Sequence, residues 1–162
     1  KMRYTVRLAG RGSRAEIAIA YLGRGQDATE MDITILHEAP ETYARVTAKA
    51  ALFDDARFVF RGMLDIAPEA KGADSYLLAK GLMVSPRARA EIYPYLEIQT
   101  DEVKASHGSS VGRLDERQLF YLQSRGIAKT EAEAIILSAY FRDVAQEMPI
   151  EYKKKFFQQA GC

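Results

Sequence analysis

One histidine in this sequence, His107, has the surroundings of a metal ligand. A neutral imidazole binds iron through one ring nitrogen and needs a partner that orients the other. The small residues Gly108, Ser109 and Ser110 follow it, so we expect His107 at the end of a strand, before a flexible stretch. The competing interpretation is a strand-end histidine whose nitrogens are satisfied by backbone carbonyls. Residue types alone favour that second interpretation.

Two further residues could take part in metal chemistry. His37 lies before a proline turn at Pro40, and we interpret it as a structural residue at a strand end. Cys162 is the single cysteine and the last residue, and it is interpreted as incidental. Several thiolates normally converge on an iron–sulfur cluster. One cysteine therefore cannot hold such a cluster alone.

The other polar motifs are better explained by turns than by catalysis. Asp101 and Glu102 form an acidic pair, but their position indicates a turn before His107. Two glycine motifs, at residues 10–12 and 23–25, are too short for a phosphate-binding loop and lack its strand–loop–helix setting. We interpret them as corners between strands.

Composition sets broad limits on function. The 162 residues carry 23 basic and 22 acidic side chains, a net charge of +1. That balance offers no general attraction for nucleic acid or an anionic membrane. No apolar run approaches the roughly 20 residues that span a bilayer. A single cysteine favours a reducing compartment, and the expected location is the cytoplasm.

The first two thirds of the chain alternate apolar and polar residues at period two. Turn residues separate the alternating segments, which indicates a β region without helices. A sandwich, a barrel and a β-helix all fit this pattern, and a β-helix predicts coils of roughly 20 to 25 residues. The small residues Ala48, Ala50 and Ala51 suit a crowded coil interior, although they also permit a helix. The predicted strand segments lie around Tyr4–Leu8, Ile17–Tyr21, Met31–Ile35, Val46, Phe58–Phe60, Met63–Ile66, Tyr76–Leu78 and Ile92–Ile98.

From about residue 115 the apolar spacing becomes helical. Asp115 is predicted to cap a first helix, with Gln118 as its capping-box partner, and Gly126 to end it. Thr130 is predicted to cap a second helix. A third helix is expected to start near Pro149 and to end at Gly161. Two or three helices therefore follow the β region.

Several short motifs, in order, resemble the C-terminal core of the SufB/SufD family of iron–sulfur cluster assembly proteins. The resemblance covers roughly residues 37–140, whereas the first 35 or so residues match only in their alternation of apolar and polar residues. No single motif is specific, but the ordered set is. The motifs are Lys71-Gly72-Ala73-Asp74-Ser75, Tyr93-Pro94-Tyr95-Leu96-Glu97-Ile98, Val103-Lys104-Ala105-Ser106-His107-Gly108, Asp115 through Tyr121-Leu122, and Ser124-Arg125-Gly126-Ile127.

This resemblance implies a right-handed parallel β-helix followed by a small C-terminal helical domain. The expected boundaries are 1–112 for a β-helix core that is shortened relative to the family, and 113–162 for the helical domain. Family members are usually much longer, so the chain is either truncated or naturally short. The resemblance also implies a dimer with a SufB-like or identical chain through the β-helix. A SufC-type ATPase is expected to bind the helical domain.

Within the family, the chain is more similar to SufD than to SufB. SufB has a cysteine at the place of Ala73 and a glutamate at the place of Gly108. SufD sequences usually have a cysteine where this chain has Ala105. That departure leaves His107 as the candidate ligand for iron or a cluster at the dimer interface, in a transient cluster shared with the partner.

The resemblance suggests which helical residues contact the ATPase. The candidates are Asp115, Phe120, Tyr121 and Arg125. For Phe120 the competing interpretation is core packing, which helical spacing alone favours. No contact with nucleic acid or membrane is expected.

Three functions remain open from the sequence. The first is a non-catalytic scaffold that presents His107 while a partner hydrolyses ATP. The second is an adaptor that binds the ATPase without holding a cluster, as the missing cysteines suggest. The third is a carbohydrate-active β-helix enzyme, which rests on fold analogy alone. It needs acids and bases clustered on one coil face, a pattern that this sequence does not contain.

Overall fold

The strand-rich part of the chain winds into a parallel β-solenoid of about four turns, and four short helices follow it. This confirms the predicted β-helix and helical region. The computed structural model describes residues 1–161, so Cys162 lies outside the described residues. The elements are β1 (Met2–Leu8), β2 (Arg14–Gly23), β3 (Ala28–His37), β4 (Tyr43–Leu52), β5 (Arg57–Ile66), β6 (Ala73–Met83), β7 (Arg89–Ile98), β8 (Val103–Arg113), α1 (Glu116–Ser124), α2 (Lys129–Tyr140), α3 (Arg142–Gln146) and α4 (Ile150–Ala160).

Two parallel sheets face each other across the solenoid. Sheet A contains β1, β3, β5 and β7 in that order, and sheet B contains β2, β4, β6 and β8. Met2 pairs with Met31, and Arg57 with Arg89, so one coil takes 29 to 32 residues rather than the expected 20 to 25. The coils are longer because most strands have ten residues or more, and only two strands with two corners make each turn.

Side chains that point between the sheets form interior columns, in which paired residues stack from coil to coil. Ala48 and Ala50 lie in this interior, as predicted, whereas Ala51 lies in the apolar layer beneath the helices. Gly62 leaves space that Leu77 fills, since a Cβ at Gly62 would come within 2.3 Å of Leu77 Cδ1. One interior column of sheet B contains Ile17, Val46, Leu77 and His107.

The corners between strands also stack. The Gly12 amide donates to the Pro40 carbonyl, and the Gly72 amide to the Glu102 carbonyl. Lys71 and Glu102 form an ion pair of 2.8 Å across neighbouring corners. The glycine motifs and the acidic pair are therefore corners and a turn, as predicted.

The helices pack on the outer face of sheet B. Leu137 and Phe141 bury against Ala51, and neighbouring apolar residues surround them. Phe141 also contacts Phe156 edge-on, with ring centroids 4.9 Å apart. None of the four helices in residues 1–161 has the length and apolarity needed to cross a membrane.

Helix ends agree with prediction in most places. The Asp115 side chain accepts from the Arg117 amide, and Gly126 (φ 85°) follows the end of α1 in the left-handed region that glycine tolerates. Pro149 precedes α4, and Gly161 ends it. The predicted Thr130 cap is wrong, because α2 begins at Lys129 after Ala128. The short helix α3 was not predicted.

Candidate functional site

His107 lies in the middle of β8 rather than at a strand end. It pairs with Leu77 on β6, and the following glycine and serines continue the strand to Arg113. Local residue types favour a flexible stretch there, but β6 provides a partner along the whole length of β8, and this pairing outweighs weak local propensity. The expectation of a strand-end histidine beside a flexible segment is therefore wrong.

His107 is exposed although its column is interior. The residues below it in the column, Val46 and Leu77, are fully buried. In residues 1–161, β8 is the last strand of sheet B, so no further coil covers His107. The imidazole is therefore available to a molecule that approaches this end of the solenoid, which we call the open end.

The open end, formed by β7 and β8, is apolar around His107. Leu96, Ile98 and Val111 continue interior columns, yet they are 36 to 43% exposed. Backbone groups on the outer edges of β7 and β8 have no neighbouring strand within the described chain. Exposed strand edges beside apolar side chains are a template for pairing with another chain.

The positions next to His107 contain no metal-binding side chains. Ala73 and Ala105 lie in one apolar cluster with Ile66 and Val103. At Gly108 a Cβ would come within 2.8 Å of the Tyr76 hydroxyl, so Tyr76 occupies the space of a side chain there. The places where the resemblance expects cysteines or a glutamate are therefore taken by the methyl groups of Ala73 and Ala105 and, at Gly108, by the Tyr76 hydroxyl.

A complete metal site is not present in the part of the chain that the structure describes. No three histidine, cysteine, aspartate or glutamate residues there lie close enough to hold an ion. His107 can supply one nitrogen ligand, and iron–sulfur clusters need several ligands. Within the described residues, His107 therefore has no companion ligands at this end of the solenoid.

His37 has the structural role that the sequence indicates. It is fully buried at the end of β3, with Nδ1 2.8 Å from Thr42 Oγ1 and Nε2 3.0 Å from Ser75 Oγ. Thr42 donates its own proton to the Ala39 carbonyl, so His37 Nδ1 donates and Nε2 accepts from Ser75. Burial lowers the pKa of His37, which keeps the ring neutral in the fold.

Acidification through the titration range of His37 is expected to destabilise the fold. Because its pKa is lower in the folded than in the unfolded chain, His37 contributes stability above pH ~6.5 that is lost as the pH falls toward the folded pKa. Urea unfolding at pH 8 and pH 5.5 measures this loss. Carboxylates contribute little in that window, since their ordinary pKa values are 3.8 to 4.5.

The control is His37→Leu, which matches the apolar residues Leu8 and Ile66 of its column. This variant is expected to show a flatter dependence of unfolding free energy on pH. An equal slope in the variant would assign the effect to other groups.

Helix α1 exposes the residues proposed to contact a partner. It contains no buried residue, and Phe120 and Tyr121 are 73% and 57% exposed. The guanidinium of Arg125 lies over the Tyr121 ring, 5.3 Å from its centroid. Core packing of Phe120 is therefore wrong, because the side of α1 that carries Phe120 faces solvent and not the solenoid.

An apolar cleft of about 700 Å³ separates α1 from α2 and the end of β6. Its walls include Leu82, Leu122, Ile136 and Tyr140, and Asp115 lies among its polar lining residues. An open, mainly apolar cleft beside exposed aromatic residues is typical of a protein interaction site. The sequence pattern does not indicate this cleft, since three separate elements form it.

Comparison with known proteins points to one family. The family model described as SUF system FeS cluster assembly, SufBD core domain, matches residues 1–140. The match begins at the first residue, so the family covers more of the chain than residues 37–140.

Curated relatives agree with this match. The iron–sulfur cluster assembly protein SufD of Bacillus subtilis is 34% identical over 151 residues, which cover 93% of this chain and 35% of that protein. An iron–sulfur cluster assembly SufBD family protein of Mycobacterium leprae is 32% identical over 153 residues, 93% of this chain and 18% of that protein. A SufBD family protein of Staphylococcus saprophyticus is 32% identical over 146 residues, 90% of this chain and 31% of that protein. The chain thus spans roughly a fifth to a third of the length of these relatives.

Proposed function

Because the chain belongs to the SufB/SufD family of SUF-system iron–sulfur cluster assembly proteins, we propose that it acts as a SufD-like, non-catalytic scaffold subunit. It pairs with a SufB-like or identical chain through the solenoid and binds a SufC-type ATPase through its helices. ATP is hydrolysed by that partner. The working division is a β-helix part, 1–112, and a helical part, 113–162.

The observation that carries this proposal is the position of His107. It is an exposed imidazole at the end of an otherwise apolar interior column. Apolar side chains at the same end of the solenoid are also exposed to solvent, and a bound partner would bury them. A partner that covers the open end meets the imidazole directly. The nascent cluster is cargo, held transiently between His107 and ligands of the partner, because this chain offers one ligand there.

The alternative function is an adaptor that binds the ATPase and holds no cluster. Alanine at positions 73 and 105 favours it, since neither side chain can bind metal. In both functions the helices bind the ATPase. The two functions differ only in the role of His107. The proposed compartment is the cytoplasm, where thiols are kept reduced.

Replacing His107 with alanine is expected to lower cluster yield at least fivefold. The assay reconstitutes iron and sulfide with this chain, a SufB-like partner and the ATPase, and follows the visible absorption of the cluster. Binding of the ATPase should stay unchanged, because His107 lies on β8 and not on a helix.

Ser109→Ala is the matched control. Ser109 is the next inward-facing residue of β8, is also exposed, and offers no good iron ligand. Cluster yields that are equal in wild type and His107→Ala would exclude the ligand role and favour the adaptor.

A further inference from the structure

The four helices are attached to the solenoid very unequally. Helices α2 and α3 bury Leu137 and Val144, among other residues, whereas α1 buries none. Polar contacts follow the same division. Within residues 1–161, side-chain hydrogen bonds between residues more than 90 positions apart join the solenoid to α2, α3 and α4.

Lys49 makes the central contact. Its side chain, on the outer face of β4, is only 8% exposed. The ammonium donates to the Tyr140 carbonyl at 2.7 Å and to Asp143 Oδ1 at 2.6 Å. It therefore lies where α2 ends and α3 begins.

The end of α2 and the start of α3 both offer oxygen atoms that attract a cation. Tyr140 is the last residue of α2, where unpaired carbonyls and the helix dipole attract positive charge. Asp143 also accepts from the Val144 amide at 2.8 Å, so its carboxylate is held in place. Burial raises the pKa of Asp143, but the hydrogen bonds from Lys49 and the Val144 amide, together with the positive charge of Lys49, outweigh this effect and leave the pKa below its ordinary value.

Two further hydrogen bonds join α2 and α4 to the solenoid. The Tyr140 hydroxyl donates to the Ala50 carbonyl at 3.3 Å. Arg24, at a corner of the solenoid, donates to the Gln159 carbonyl at 2.9 Å near the end of α4, and its guanidinium lies 3.9 Å from the centre of the Phe53 ring. These contacts attach α2 to sheet B and α4 to a corner of the solenoid.

Helix α1 has a different attachment. The Leu114 amide donates to the Met83 carbonyl just before α1, and Gly126 makes the turn after it. Between these points, α1 borders the apolar cleft and leaves Phe120 and Tyr121 exposed. Helices with few buried contacts open at low free energy.

We propose that Lys49 locks α2 and α3 to sheet B, and that α1, which buries no residue, opens independently of these two helices. The helical region then contains two parts of different local stability, and the Lys49 contact sets the stability of the part that is fixed to the solenoid.

Hydrogen exchange of the full chain tests the proposal. In the wild type, amides of α1 should exchange at least tenfold faster than those of α2. Lys49→Met keeps the length of the side chain and removes its charge. It should speed exchange in α2 and α3 about tenfold and leave α1 and the buried strands of the solenoid unchanged.

Lys80→Met is the matched control. Lys80 pairs with Lys49 in the neighbouring strand of sheet B, and within residues 1–161 no hydrogen bond or ion pair joins it to the helices. Exchange in α2 and α3 should not change in this variant. Asp143→Asn keeps the bond from Lys49 to the Tyr140 carbonyl, and should speed exchange in α2 and α3 about threefold even if Lys49→Met fails to fold.

Three results would overturn the proposal. One is wild-type α1 as well protected as α2. Another is unchanged exchange in α2 and α3 when Asp143 or Lys49 is replaced. The third is an equal loss of protection in the strands and the helices, since Lys49 would then stabilise the whole chain and not the docking of the helices.

Discussion

Replacing Phe120 with alanine is expected to weaken binding of a SufC-type ATPase at least tenfold, with no change in the unfolding temperature. Phe120 is 73% exposed, so its removal opens no cavity in the fold. Exposed aromatic residues that become buried in an interface often dominate its energy, and a tenfold loss corresponds to about 1.4 kcal/mol. Titration calorimetry with the full chain and the ATPase measures the change.

Ile150→Ala serves as the control for this prediction. Ile150 is 67% exposed, but it lies at the start of α4 and not on α1. Its removal should leave the affinity within about twofold of the wild type. Equal affinities for Phe120→Ala and wild type would move the ATPase contact away from α1, whereas a loss in Ile150→Ala alone would assign it to α4.

Replacing Phe60 with alanine is expected to cost about 3–5 kcal/mol of folding free energy, as large-to-small changes in a packed core do. Phe60 is fully buried in sheet A and stacks with Phe58, with ring centroids 6.3 Å apart. Phe58 in turn stacks on Tyr21 at 4.9 Å. The loss would be a large part of the 5–15 kcal/mol that stabilises a typical domain. Urea unfolding at pH 8 provides the measurement.

Tyr95→Ala tests whether the loss comes from burial. Tyr95 is an aromatic residue of sheet A, but it lies on the outer face of β7 and is 47% exposed. Its replacement should change the unfolding free energy by about 0.5 kcal/mol or less. Similar losses in the two variants would mean that the solenoid is not stabilised mainly by its interior.

The sequence predicts the class of fold well, because hydrophobic periodicity is local. Alternation around Ile17 and Met31 indicates strands, and helical spacing after Asp115 indicates helices. Short motifs in order predict the family, and the family match confirms it. The expected coil length is too short. Phe58–Phe60 and Met63–Ile66 look like two strands in the sequence but belong to one ten-residue strand, and strands of this length make longer coils.

The candidate site is only partly predictable, because it depends on contacts between distant residues. The resemblance identifies His107, but its place in β8 follows from pairing with Leu77. The exposure of Phe120 follows from how α1 stands away from the solenoid. The local sequence around Lys49 and Arg24 does not indicate their roles, because their hydrogen-bond partners lie 94 and 135 residues away in the chain.

The imidazole that ends an apolar column also limits how such molecules can assemble. A solenoid with a purely apolar end could add copy after copy and grow into a filament, as strand edges permit. Here a second copy that paired with β8 without a matching polar group would bury His107 and Ser109 with no hydrogen-bond partner. Each buried polar group that lacks a hydrogen bond costs about 1–3 kcal/mol. Only a surface that offers a hydrogen bond or a metal at that point avoids the cost. The exposed imidazole thus disfavours unlimited stacking of identical chains and favours a partner that can pair with it.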